Sequence, residues 1–168
     1  MSGGRVLVAG VGNIFLGDDG FGSAVANELG GEPLAPGVTV ADFGIRGVHL
    51  AYELLDGYDT LVLIDAVSRG DPPGTVSVLD ATGARAGDGL DEGDGVLAAM
   101  DAHGMHPGAV LAMVDDLGGQ VGQVLVVACE AANIEEGIGL SDAVAAAVPH
   151  AVEAVRELIG ALVKEGTP

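Results

Sequence analysis

The chain of 168 residues predicts a three-layer α/β/α sandwich built on a twisted, mostly parallel five-stranded sheet. Three observations carry that expectation. Short unbroken runs of Val, Leu and Ile recur along the chain, as in strands covered on both faces. Segments with helical spacing alternate with these runs, and a β-α-β order calls for parallel strands joined by crossover helices. Hydrophobic residues make up 49% of the chain but aromatic ones only 3%, so the core has to be assembled from aliphatic side chains. No repeat or linker divides the sequence, and residues 1–168 read as one domain.

Arg5 to Val11 is the first strand, and it runs into Gly10-Val11-Gly12. Phe21, Val25 and Leu29 have helical spacing, and Gly30-Gly31 supplies a stop. Pro33 and Pro36 mark a loop before a second strand, Val38 to Phe43, and a helix from about Val48 to Leu55. Leu61 to Ala66 is the clearest strand after the first and contains Asp65 near its end. Gly74 to Leu79 alternates weakly, as an edge strand does. Residues 80–95 are rich in Gly and Asp, but their acids lack the fixed spacing of a calcium loop; Gly87 to Gly95 reads as a mobile surface loop, with a lid as the weaker option. His103 to Leu117 carries Val110, Leu111 and Val114 at helix spacing, and Gln123 to Cys129 is the last strand. Ser141 offers an N-cap to a long helix, Asp142 to Lys164, in which Pro149 predicts a kink or a break.

Charge narrows the function classes. With 25 acidic against 6 basic residues the net charge is −19, which disfavours nucleic acid and anionic membranes, since both require Lys and Arg. No run approaches the roughly 18 apolar residues of a membrane span. Val6 to Val11 is too short for a signal peptide. A single cysteine, Cys129, excludes an internal disulfide and fits a reducing compartment, so a cytoplasmic protein is expected.

The loop after the first strand, Gly12 to Gly22, is the leading candidate site, because ligands of open α/β sheets bind beyond the carboxyl ends of the strands. Its glycines suggest a phosphate cradle. Phe15, however, occupies the third glycine position of a dinucleotide fingerprint, and Asp18-Asp19 stand where a phosphate loop needs Lys and Ser or Thr. Two acids there favour a cation instead. Asp19 after the first strand and Asp65 at the end of a central one converge on the same rim if the strands are parallel, and His103 opens a helix within reach of it. Carboxylates with an imidazole suit Zn, Ni or Mn. The bland readings stand beside this one. Either aspartate serves equally as a helix cap, His103 as a surface residue, and His106 as an equivalent ligand by chemistry. Cys129, without a neighbouring His, reads as a small buried residue, and no Gly-x-Ser-x-Gly elbow is present.

Gly10-Val11-Gly12-Asn13-Ile14 followed by Gly17-Asp18-Asp19-Gly20-Phe21-Gly22 closely resembles the opening of the [NiFe]-hydrogenase maturation endopeptidases. Ile64-Asp65-Ala66, Asp101-Ala102-His103-Gly104-Met105, Ala128-Cys129-Glu130 and Ile138-Gly139-Leu140-Ser141 resemble that family's later motifs, in order. The resemblance implies an endopeptidase that clips the C-terminal extension from a hydrogenase large-subunit precursor once nickel is in place. It implies that Asp19, Asp65 and His103 contact that nickel, that the metal arrives with the substrate, and that no cofactor stays bound. A monomer is expected. Asp42, at the end of the second strand, is a weaker candidate for substrate binding, and Asp18 is expected to cap the adjacent helix. The alternatives are a non-catalytic nickel- or precursor-binding protein of the same fold and, more remotely, a nucleotide-binding domain.

Overall fold

The computed structural model describes residues 4–32, 34–82 and 106–165. The acid-rich segment 87–95 and His103 lie outside the described residues. Within them the strands are β1 (Val6–Val11), β2 (Val38–Gly44), β3 (Thr60–Val67), β4 (Val76–Asp80) and β5 (Gln123–Glu130). The helices are α1 (Phe21–Gly30), α2 (Gly47–Leu54), α3 (Pro107–Asp116) and α4 (Asp142–Glu165), and a short 3-10 turn, Gly17–Gly20, leads directly into α1.

The five strands form one sheet in the order β2-β1-β3-β5-β4. Only the β4–β5 pair is antiparallel, so the mostly parallel sheet expected from the sequence is present. β1 and β3, covered on both faces, are buried along their whole length, as their continuous apolar runs predict. One face of the sheet packs on α1 and α4, the other on α2 and α3, which completes the three layers. β3 shows the alternation: Val62, Ile64 and Ala66 join the α1/α4 side, and Leu61, Leu63 and Val67 the α2/α3 side. Asp65, in step with Leu63 and Val67, belongs to the α2/α3 side.

Two expectations need correcting. Of the kink or break expected at Pro149, the break is absent: the last helix runs from Asp142 to Glu165. The ring lies on an exposed stretch of the helix, where the carbonyl that it deprives of a donor can turn to water. The helix expected from His103 begins instead at Pro107, with the extended His106 as its N-cap. Proline suits the first helical position and drives the residue before it out of the helical region, so this boundary is set by Pro107.

The carboxyl end of β1 meets α1 and β3 with almost no space between backbones. A Cβ on Gly22 would stand 2.2 Å from the Ile64 carbonyl oxygen and 2.4 Å from that of Val11, and one on Gly10 would stand 2.3 Å from the Gly22 oxygen. All of these obstacles are backbone atoms, which cannot turn aside as a side chain can. Gly22→Ala and Gly10→Ala are therefore each expected to lower stability by about 3 kcal/mol or more. The check is the urea midpoint, read with the slope of the transition to confirm that the folded state is otherwise retained.

Candidate active site

The loop that leaves β1 is shaped by Gly12, whose φ of 124° is open to glycine and strained for other residues. A Cβ there would lie 2.1 Å from the Asp19 carbonyl oxygen and 3.0 Å from Asp65 Oδ1. Gly12 is thus the point where the Asp19 backbone and the Asp65 carboxylate meet. The register explains the approach of Asp65. Gly10 of β1 pairs with Ile64 of β3, so the next residue of β3 stands beside the start of the loop.

Both acids are buried, with exposures of 0% for Asp19 and 1% for Asp65. The Asn13 N–H donates to Asp19 Oδ2 at 2.6 Å, and the Ala66 N–H donates to Asp65 Oδ1 at 2.8 Å. The sequence expected these two acids to share one rim, and at Gly12 the Asp19 backbone and the Asp65 carboxylate lie side by side. His103, the third expected member, lies outside the described residues. Among the described residues no group of three His, Cys, Asp or Glu side chains gathers closely enough to hold a metal. His106 has a structural task, accepting the Gly108 N–H on Nδ1 at 3.1 Å as it caps α3.

Asp18 does not cap α1. That helix has Gly20 at its N-cap, with no side-chain cap bond. The Asp18 carboxylate turns the other way and accepts N–H bonds from Ala132, Asn133 and Ser141 at 2.8, 3.0 and 2.7 Å, and the Ser141 hydroxyl at 2.9 Å. The partners lie more than 110 positions along the chain, out of reach of any local pattern. Ser141 could be picked out as the cap of α4, and its hydroxyl does meet the Val144 N–H at 3.5 Å. Its second task, donating to Asp18, left no mark in the sequence.

Asp42 accepts from the Ser23 hydroxyl at 2.7 Å and the Gly44 N–H at 3.0 Å. It borders a cleft of ≈ 300 Å³ that has Gly12, Asn13 and Phe15 on one side and Asp42, Ile45 and Arg46 on the other. Phe15 is 60% exposed and Ile45 47%, so the cleft beside the acid pair presents apolar surface. Arg46 is folded back, donating Nε to the Phe43 carbonyl at 3.1 Å. Glu130, at the end of β5, accepts the Arg69 N–H at 2.9 Å and fastens the chain that follows β3. Cys129 beside it is fully buried, and burial first, then the Asp18 and Glu130 charges, push its thiol up to about 11. A thiol so rarely ionised is no nucleophile.

With this geometry in hand, comparison with known proteins decides the family. The family model for hydrogenase maturation proteases matches residues 24–158. The chain belongs to the hydrogenase maturation protease family. It is 31% identical over 163 residues to the hydrogenase expression/formation protein HupD of Rhizobium leguminosarum bv. viciae, covering 92% of this chain and 74% of that protein. It is also similar to the hydrogenase maturating endopeptidase HybD of E. coli, with a TM-score of 0.76, 26% identity, and coverage of 92% of this chain and 91% of that one. A hydrogenase 2 maturation peptidase from a Thaumarchaeota archaeon superposes with a TM-score of 0.66 and 35% identity, covering 93% of this chain and 98% of that one. A protease family favours cleavage over the alternative of a protein that only holds its partner, and the nucleotide reading falls away.

The buried Asp18 gives this maturation protease a distinct acid response. Burial raises its pKa, but the bonds from the Ser141, Ala132 and Asn133 N–H groups and the Ser141 hydroxyl outweigh burial and hold it below its ordinary value of 3.8. A depressed pKa means that Asp18 contributes stability above the unfolded value, and that this contribution is lost as the pH falls below 3.8. Urea midpoints measured from neutral pH down to about pH 3 are expected to fall less steeply in Asp18→Asn than in the wild type, from a lower starting point.

Proposed function

We propose that this chain removes the C-terminal extension of a [NiFe]-hydrogenase large-subunit precursor after nickel insertion, and that Asp19, Asp65 and His103 contact the nickel that the precursor carries. The observation that supports this reading most directly is the meeting of the Asp19 backbone and the Asp65 carboxylate at Gly12, which sets two buried acids on the rim where α/β folds bind ligands. Hard oxygen ligands suit a divalent cation. The cleft between Phe15 and Ile45 reaches Gly12, the glycine against which both acids pack, and offers a protein chain apolar surface there.

On this reading the metal belongs to the substrate, and the protease carries no resident cofactor between turnovers. Contact with the acids fixes the precursor so that the scissile bond stands beside its own nickel. The substrate's metal would polarise the scissile carbonyl or a water molecule, and a rim carboxylate would take the attacking water's proton and pass it to the amine that leaves as the peptide bond breaks. An empty precursor lacks the anchor and is left uncut. The protein works in the cytoplasm as a monomer; among the described residues no helix is long and apolar enough to cross a membrane.

The test is incubation with nickel-loaded and nickel-free precursor, followed by mass spectrometry of the C-terminus. Only the loaded precursor is expected to shorten. Asp19→Ala, Asp65→Ala and His103→Ala, checked for folding by circular dichroism, should each slow cleavage by about 100-fold or more. Equal cutting of the empty precursor by the wild type, or full activity in all three variants, overturns the proposal. Cys129→Ala serves as the control and should retain the wild-type rate within about twofold.

A further inference from the structure

We infer that Asp18 is a positioning residue: by clamping the 131–141 loop against the turn that carries Asp19, it sets where the Asp19 carboxylate stands. This rests on the reading of Asp19 as a nickel-contacting acid, but it makes a claim about geometry that is tested independently.

The clamp has two parts. The Asp18 carboxylate gathers the Ala132, Asn133 and Ser141 N–H groups and the Ser141 hydroxyl. The backbone beside it is stitched to the same loop, with Asp18 N–H donating to the Asn133 carbonyl at 2.8 Å, Gly17 N–H to Gly137 at 2.9 Å, and Gly137 N–H to Phe15 at 2.8 Å. The turn is therefore held on both sides of the residue that precedes Asp19. Asp19 itself donates its N–H to the Leu16 carbonyl at 3.1 Å and accepts the Asn13 N–H at 2.6 Å. With its backbone fixed by a neighbour, Asp19 has only its own side-chain torsions left to vary, and those are confined by burial.

The chemistry of position 18 is demanding. All four partners are donors, and only an ionised carboxylate offers acceptor sites on both oxygens with no proton of its own. Asparagine has nearly the same shape but turns an NH2 group towards these donors, so at least one of them loses its partner in a buried place. The turn is then free to shift, and Asp19 moves with it. Ser141→Ala is the milder perturbation, removing one hydroxyl and leaving the backbone donors in place.

The experiment has a structural and a kinetic arm, applied to wild type, Asp18→Asn and Ser141→Ala. In proton–nitrogen correlation spectra the Asn13 amide reports its bond to Asp19, and it should move upfield in both variants, further in Asp18→Asn. On nickel-loaded precursor, kcat per folded molecule should fall about 10-fold in Asp18→Asn and less in Ser141→Ala, with KM held within about twofold. Resonances at 132, 133 and 141 that move while Asn13 stays still, or a wild-type kcat in folded Asp18→Asn, overturn the inference and leave Asp18 as a loop fastener. Should Asp18→Asn fail to fold, the Asn13 resonance in Ser141→Ala decides the matter. A wild type that leaves the loaded precursor intact contradicts the proposed function instead, and the Asn13 resonance still decides this inference.

Discussion

The carboxyl end of β1 is packed so closely against α1 and β3 that three glycines around it have no room for a side chain. Gly10 and Gly22 let the first turn of α1 lie on the strands, and Gly12 lets the Asp19 backbone and the Asp65 carboxylate come to the same point. A methyl group at any of these places would collide with backbone, and the rim would have to open. Interiors this dense transmit displacement instead of absorbing it. The position of the acid pair is thus a consequence of packing in the sheet as much as of the loop that carries Asp19.

The same loop holds two adjacent acids with different tasks. Asp18 points into the 131–141 loop and is consumed by hydrogen bonds there, while Asp19 accepts the Asn13 N–H and stands against Gly12. Both precede α1, where the exposed N–H dipoles of a helix favour negative charge. Adjacent carboxylates inside a protein would otherwise repel one another and drift towards the protonated form. Directing Asp18 into a set of donors keeps it ionised.

Much of this was legible in the sequence because it rests on short-range rules. Buried parallel strands show as continuous apolar runs, and parallel pairing by itself brings Asp19 and Asp65 to one edge. What stayed hidden depends on contacts across long stretches of chain. The Asp18 clamp joins residues that no periodicity links, so the same aspartate reads from the sequence as an ordinary helix cap. Pro149 reads as a kink or a break, yet on an exposed stretch of a helix anchored by Val144, Ala147, Ala151 and Val155 in the core the helix runs on through it. Pro107 was visible too, and the rule that proline excludes helix from the residue before it places the start of α3 four positions beyond His103.

On the proposed function, the burial of Asp19 and Asp65 bears on how a cation carried by another protein would be sorted from an empty site. A carboxylate oxygen has two lone pairs, so the Asn13 N–H bond to Asp19 and the Ala66 N–H bond to Asp65 leave the chemistry of cation binding intact. A buried carboxylate gives up its hydration, and in a protein of net charge −19 an arriving divalent cation would offset that cost. A precursor without its metal would offer no such compensation and would meet the desolvated acids with neutral groups. A preference for a loaded partner would then come from two effects, attraction for the cation and a penalty for its absence. Discrimination built in this way is sharper than attraction alone would give.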